Sequence, residues 1–120
     1  MKNPRLYLRQ ILEAANFILE TAHSLQDLQN SKLIRDAVIR NFEVMGEAAK
    51  RLSPAFRMQH PQVPWRSLAG FRDVLIHDYD EVAVEVVWDV IENSLPEVQF
   101  EVANLLDEGA GGLEGDRDSS

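Results

Sequence analysis

The chain has 120 residues, enough for one domain with one core and too few for two. At 45% hydrophobic and 27% charged it has a globular make-up, and the absence of cysteine excludes disulfides, thiol nucleophiles and cysteine-ligated zinc. A net charge of −8 excludes a protein that is basic overall, so a nucleic-acid site would need its bases gathered locally.

The first helix is expected to begin near Pro4, a residue suited to a first turn. Tyr7, Ile11, Ala14, Ile18, Ala22 and Leu25 recur at helical spacing, with Leu8, Leu12, Ala15 and Leu19 as a second stripe, so the helix should bury a wide face as far as about Gln26. Asp27 to Asn30 read as a polar connection. Ser31 suits the N-cap of a second helix striped by Ile34, Val38, Phe42, Met45, Ala49 and Leu52. On that wheel Glu43 and Glu47 fall outside the stripe and Asn41 inside it. A core-facing Asn41 calls for a hydrogen bond to a neighbouring helix or a supporting role at a site. Gly46 in mid-helix costs about 1 kcal/mol against alanine, and the expected return is close approach of another backbone.

Pro54, Pro61 and Pro64 make residues 53–64 a loop with at most one helical turn near Ala55–Gln59, in which His60 reads as a solvated side chain. A short third helix from Trp65 to about Tyr79 carries Leu68, Phe71 and Leu75 on its core side. Asp78 or Asp80 would cap the next helix. This fourth helix, from about Glu81, is striped by Val84, Val87, Trp88, Ile91 and Leu95. Beyond Pro96 the stripe resumes at Val98, Val102 and Leu105, so a kink or short break is expected there. From Asp107 onward five acids (Asp107, Glu108, Glu114, Asp116, Asp118) face one base, Arg117. Residues 107–120 therefore read as a disordered acidic tail on a domain of residues 1–106. The fold class is all-α, an antiparallel bundle of four main helices with no strand. No apolar run reaches the ~18 residues of a membrane span. Met1 to Arg5 lack a signal-peptide core, so a cytoplasmic address is expected.

The third helix holds Arg72-Asp73-Val74-Leu75-Ile76-His77-Asp78-Tyr79. An arginine holds phosphate with a permanently charged fork of donors. A histidine exchanges a proton near neutral pH, and a tyrosine hydroxyl can donate, accept or be modified. Together they suffice for metal-free phosphodiester cleavage. At 100° per residue, however, His77 lies about 140° around an ideal helix from Arg72. Either the helix unwinds near His77 or the two groups meet at an interface with a second copy. The plain alternative is surface pairing: Asp73 and His77 are four apart, and Arg72 could pair with any carboxylate. His23, His60 and His77 give no zinc-binding pair. Neither a glycine-rich phosphate loop nor a serine-hydrolase motif is present.

Three stretches carry a resemblance: Ile39 through Pro54, Pro64 through Asp73, and Val86-Val87-Trp88 with Leu95-Pro96. On these and the R-x-x-x-x-H-x-Y pattern, the chain resembles the HepT-like family of HEPN-domain ribonuclease toxins from about Arg5 to Val102. The resemblance implies the toxin of a type VII-like toxin–antitoxin system, a metal-independent endoribonuclease. Arg72 and His77 would be its catalytic pair, with Tyr79 completing the site. Tyr79 would also be the residue to which an MntA-like nucleotidyltransferase antitoxin adds AMP, blocking the cleft with bulk and negative charge. The resemblance further implies a homodimer whose two motifs line one cleft, an RNA rather than DNA substrate and no cofactor. Asn41, Glu47 and Asp73 are candidates for supporting roles. Arg35, Arg40, Lys50, Arg51 and Arg66 are candidates for RNA backbone contacts. The rival reading is a non-catalytic helical module that binds a nucleotidyltransferase partner or a nucleotide.

Overall fold

The computed structural model describes residues 3–78 and 81–108, and all of its regular structure is helical. Seven helices follow one another among these residues: α1 Pro4–Thr21, α2 Leu25–Asn30, α3 Lys32–Arg51, α4 Pro54–Gln59, α5 Trp65–Asp78, α6 Val84–Asn93 and α7 Leu95–Glu108. The four expected main helices are α1, α3, α5 and the α6–α7 pair. α3 is the central member, packed on α1 along one side and on α5 along the other, while α1 also packs on α7. Two cross-links fix α1 and α7 as antiparallel: Arg5 Nη1 donates to the Leu106 carbonyl at 3.0 Å, and Gln99 Nε2 donates to Asn16 Oδ1 at 2.6 Å.

Each boundary has a local cause. α1 stops at Thr21, short of the expected Gln26, because residues 22–24 turn into a new helix start. The Ser24 hydroxyl accepts from the Asp27 N–H at 3.2 Å, and the Asp27 carboxylate accepts from the His23 N–H at 2.8 Å. The span read as a polar connection is therefore helix α2. It is anchored by Leu28, its one buried side chain, which is 0% exposed. Truncating a wholly buried leucine costs about 2–5 kcal/mol. Leu28→Ala should lower the urea midpoint accordingly, whereas a connection merely resting on the surface would lose little.

Ser31 caps α3 as expected, its hydroxyl accepting from the Ile34 N–H at 3.1 Å. Ser53 does the same for α4, and Pro54 occupies the first turn, where a missing N–H is harmless. His60 is not a solvated loop residue. Its ring tilts against Phe56 with centroids 4.5 Å apart, and its carbonyl accepts from the Trp65 indole at 2.9 Å, tying the start of α5 to the end of α4. α6 begins at Val84 instead of Glu81, and its N-cap, Ala83, gives no side-chain bond; the Asp78 contribution is its carbonyl, which accepts from Val82. Asp80, the other expected cap, lies outside the described residues. The expected interruption at Pro96 is a break at Ser94. Pro96 sits in the first turn of α7, and hydrogen bonds from Ser94 to Val90 and from Val98 to Ser94 carry the chain across.

Asp107 and Glu108, grouped with the tail on charge, belong to the last turn of α7, whereas residues 109–120 lie outside the described residues. The core is built from the expected stripes: Ile11 and Ile18 of α1, Val38, Phe42 and Met45 of α3, Leu75 of α5, Ile91 of α6 and Val102 of α7 are all buried. Phe42 also meets Phe71 edge-to-face at 5.1 Å, a geometry worth about 0.5–1.5 kcal/mol beyond the area it buries.

Candidate active site around Arg72

The site begins with a glycine. A Cβ at Gly46 would fall 2.1 Å from Arg72 Cβ and 2.7 Å from the Leu68 carbonyl, so only a residue without one lets α5 lie this close to α3. The close approach expected from Gly46 is therefore the contact that seats the arginine. Next to it on α3 stands Glu47, whose carboxylate is 3.5 Å from Arg72 Nη2. On the other side Asp73 Oδ1 accepts from Arg72 Nη1 at 2.9 Å and from Lys50 Nζ at the same distance. The guanidinium is thus oriented by two carboxylates while its side chain keeps 24% of its surface exposed. Its Nε–H is buried with no partner among the described residues. Arg72 also lines a cleft of about 280 Å³, together with Gln10, Arg40, Glu43, Val44, Glu47 and Ile76.

The hydrogen bond from Lys50, and then that from Arg72, hold the Asp73 carboxyl below the ordinary aspartate value. Its folded-state value is depressed, so the bridge is fully formed above the unfolded value and is lost only as pH falls through the lowered one. Asp73 is consequently charged, and gripping Arg72, throughout the neutral and mildly acidic range.

His77 is not part of this cluster. α5 stays a continuous helix through Asp78, so the unwinding that would swing His77 toward Arg72 does not occur. His77 is exposed on another side of the helix. The plain pairing of Asp73 with His77 is not formed either, since Asp73 Oδ1 is taken by Lys50 and Arg72. Tyr79 lies outside the described residues.

The remaining candidates separate. Glu47 and Asp73 touch Arg72 directly. Asn41 bonds neither a neighbouring helix nor the cleft: it is half-buried, and its Nδ2 donates to the Ala37 carbonyl of its own helix at 2.8 Å. A wheel places Asn41 in the stripe, but an amide that reaches back one turn needs no partner across the interface. Of the bases expected at the RNA backbone, Arg40 lies 3.8 Å from Glu43, Arg51 lies 3.7 Å from Glu47, and Lys50 holds Asp73. Arg35 donates to the Leu28 carbonyl at 2.7 Å. Arg66 alone of that set is exposed without a carboxylate among the described residues. Glu43 is a cleft residue that the wheel, by setting it outside the core stripe, gives no role. Facing away from the core is what brings it to the cleft; the signal is its i+4 spacing to Glu47 along the edge of α3 that α5 covers.

Known proteins similar to this chain place it in a family. The ribonuclease HepT-like family profile matches residues 8–105. A candidate RNase of Caldanaerobacter subterraneus subsp. tengcongensis is 38% identical over 108 residues, 88% of this chain and 96% of the relative. A candidate RNase of Methanocaldococcus jannaschii is 34% identical, covering 84% of this chain and 94% of its own length. A candidate ribonuclease HepT of Thermococcus cleftensis is 38% identical over 82% of this chain and 92% of its own. No solved structure matches the chain. With the match spanning α1 to α7 and taking in the seat of Arg72, the chain belongs to the HepT-like ribonuclease family.

Proposed function

We propose that this chain is a metal-independent endoribonuclease, the toxin of a toxin–antitoxin pair, cutting RNA with Arg72 and His77 and silenced by AMP added to Tyr79 by a nucleotidyltransferase antitoxin. The observation that carries the reading is the Arg72 guanidinium, part-exposed beside a cleft and oriented by Glu47 and Asp73. A guanidinium held this way stabilises charge that develops on a phosphate without having to reorganise. The 2′-hydroxyl of the RNA attacks the adjacent phosphorus, His77 takes its proton, the P–O5′ bond breaks, and the leaving 5′-oxygen takes a proton from water. The products are a 2′,3′-cyclic phosphate and a free 5′-hydroxyl.

Two copies of the chain are part of the proposal. On a continuous α5 the Arg72 and His77 of one chain point about 140° apart, so each arginine needs the histidine of a second copy. Ile76, 43% exposed beside the cleft that Arg72 lines, gives a second copy an apolar contact there. Among the described residues no helix is long and apolar enough to cross a membrane, and RNA is the expected partner.

The test is digestion of RNA by purified protein in EDTA with analysis of product ends. Cyclic phosphate ends are expected; 5′-phosphate ends alone would exclude attack by the 2′-hydroxyl. Co-expression with the product of the neighbouring gene tests the regulation. The intact mass should rise by whole AMP units and fail to rise in Tyr79→Phe.

A further inference from the structure

We propose that the corner formed by α4 and the start of α5 is a second phosphate-binding site, a groove that grips single-stranded RNA away from the cleavage point. It rests on the ribonuclease reading above and adds a place where the substrate is held. Residues 48–72 contain five bases, Lys50, Arg51, Arg57, Arg66 and Arg72, and no carboxylate, in a chain whose net charge is −8. Folding brings the middle of that stretch into one groove of about 350 Å³ lined by Pro54, Arg57, Met58, Trp65 and Arg66.

The two arginines of the groove are uncommitted. Among the described residues neither Arg57 nor Arg66 is paired with a carboxylate, whereas Arg40, Arg51 and Arg72 all are. Arg57 also repeats the signature of Arg72. These two are the described side chains that carry a buried nitrogen, Nε in both, without a hydrogen-bond partner. A buried donor left unpaired is unfavourable, and a guanidinium that lines the groove grips a phosphate oxygen with a charge-assisted hydrogen bond. Beside them Met58, 80% exposed, offers a base an apolar surface. A basic groove flanked by an apolar platform suits a single strand, whose bases are free to leave the stack.

The groove also points the right way. Arg66, Gly70, Asp73 and His77 fall on one stripe of α5, with Arg66 and His77 within about 20° of each other and roughly 16 Å apart along the axis. Gly70 has nothing within 4 Å of a would-be Cβ, so the stripe is open midway. Its one carboxylate, Asp73, is already neutralised by Lys50 and Arg72. A strand gripped at Arg57 and Arg66 can run along this stripe toward His77.

The experiment titrates a 2′-O-methyl RNA oligonucleotide, which lacks the attacking hydroxyl, against the full-length protein at several salt concentrations. Arg57→Gln with Arg66→Gln should weaken binding about tenfold or more and flatten the salt slope by about 1.4, roughly 0.7 for each phosphate no longer neutralised. Arg57→Lys with Arg66→Lys keeps the charge, guards against a folding defect and should recover most of the slope but not the full affinity. Arg9→Gln, which removes one exposed charge from α1, is the control for net charge. Wild-type affinity and slope in the glutamine pair would overturn the proposal while leaving RNA cutting untouched. Displacement of the oligonucleotide by poly-glutamate as readily as by RNA would also overturn it, making the corner a dock for an acidic protein. A wild-type protein that binds through the corner yet cuts no RNA would defeat the ribonuclease reading alone.

Discussion

An equal mixture of Arg72→Gln and His77→Ala chains is expected to recover up to about a quarter of the wild-type cutting rate, although neither variant cuts RNA appreciably alone. Losing a positioned charge donor costs about 10²–10³ in rate, and losing a general acid or base about 10²–10⁴. Each pure variant should therefore read as inactive. Random exchange makes half the dimers mixed. In a mixed dimer one site takes its intact arginine from the His77→Ala chain and its intact histidine from the Arg72→Gln chain, while the other site is doubly damaged. Half of the sites in half of the dimers gives the quarter. If Arg72 and His77 of the same chain worked together, the mixture would stay dead. The continuity of α5 through Asp78 is the reason to expect recovery. The readout is cleavage of a labelled RNA after the two proteins are exchanged through mild denaturant.

Gly46→Ala should abolish most activity at a smaller loss of stability. The added methyl meets Arg72 Cβ at 2.1 Å and the Leu68 carbonyl at 2.7 Å, both atoms at or next to the backbone of α5, so the helix must lift away from α3. Overpacking of this kind costs about 1–3 kcal/mol, offset in part by the better helix propensity of alanine. The catalytic effect is larger. A shift of about 1 Å at a positioning group costs on the order of 10²-fold in rate, and here the shift carries Arg72 away from Glu47. Gly70→Ala is the matched comparison for stability. Its methyl enters open space, and the change should raise the melting temperature through propensity alone. A Gly46→Ala protein that melts early but cuts at the wild-type rate would mean that the α3–α5 distance does not set the arginine.

Much of the fold is legible in the sequence because it depends on spacing along single helices. The stripes on α1, α3, α6 and α7, the cap at Ser31 and the break near Pro96 all follow from local pattern. Even Gly46 announces a close helix contact. The pattern does not show what is decided between helices. Asn41 stands at a core angle yet turns its amide back on Ala37. Helix α2 is hidden because Leu25 reads as a continuation of the α1 stripe and Leu28 alone makes none, although Ser24 followed by Asp27 is a start signal. The pairings of Arg40 with Glu43 and Arg51 with Glu47 are readable from intervals of three and four, and they remove those arginines from the free bases. Arg57 is marked in the sequence only by the carboxylate-free basic stretch around it, since Trp65 and Arg66 of the groove come from the next helix.

The links between Arg5 and Leu106 and between Asn16 and Gln99 bear on the order in which the molecule is made. α7 packs on α1 beside α3, so the apolar side of α1 is fully sheltered only once α7 arrives. At about 5–20 residues per second, the ribosome takes roughly 2–6 s to extend the chain from the end of α5 to the end of α7. Through that interval α1, one of the two neighbours that hold α3 in place beneath Arg72, is half clothed. On the proposed function, a nascent toxin of this design is harmless until α7 has been made. A partner that must silence it has those seconds, and the time the bundle takes to close, in which to reach it.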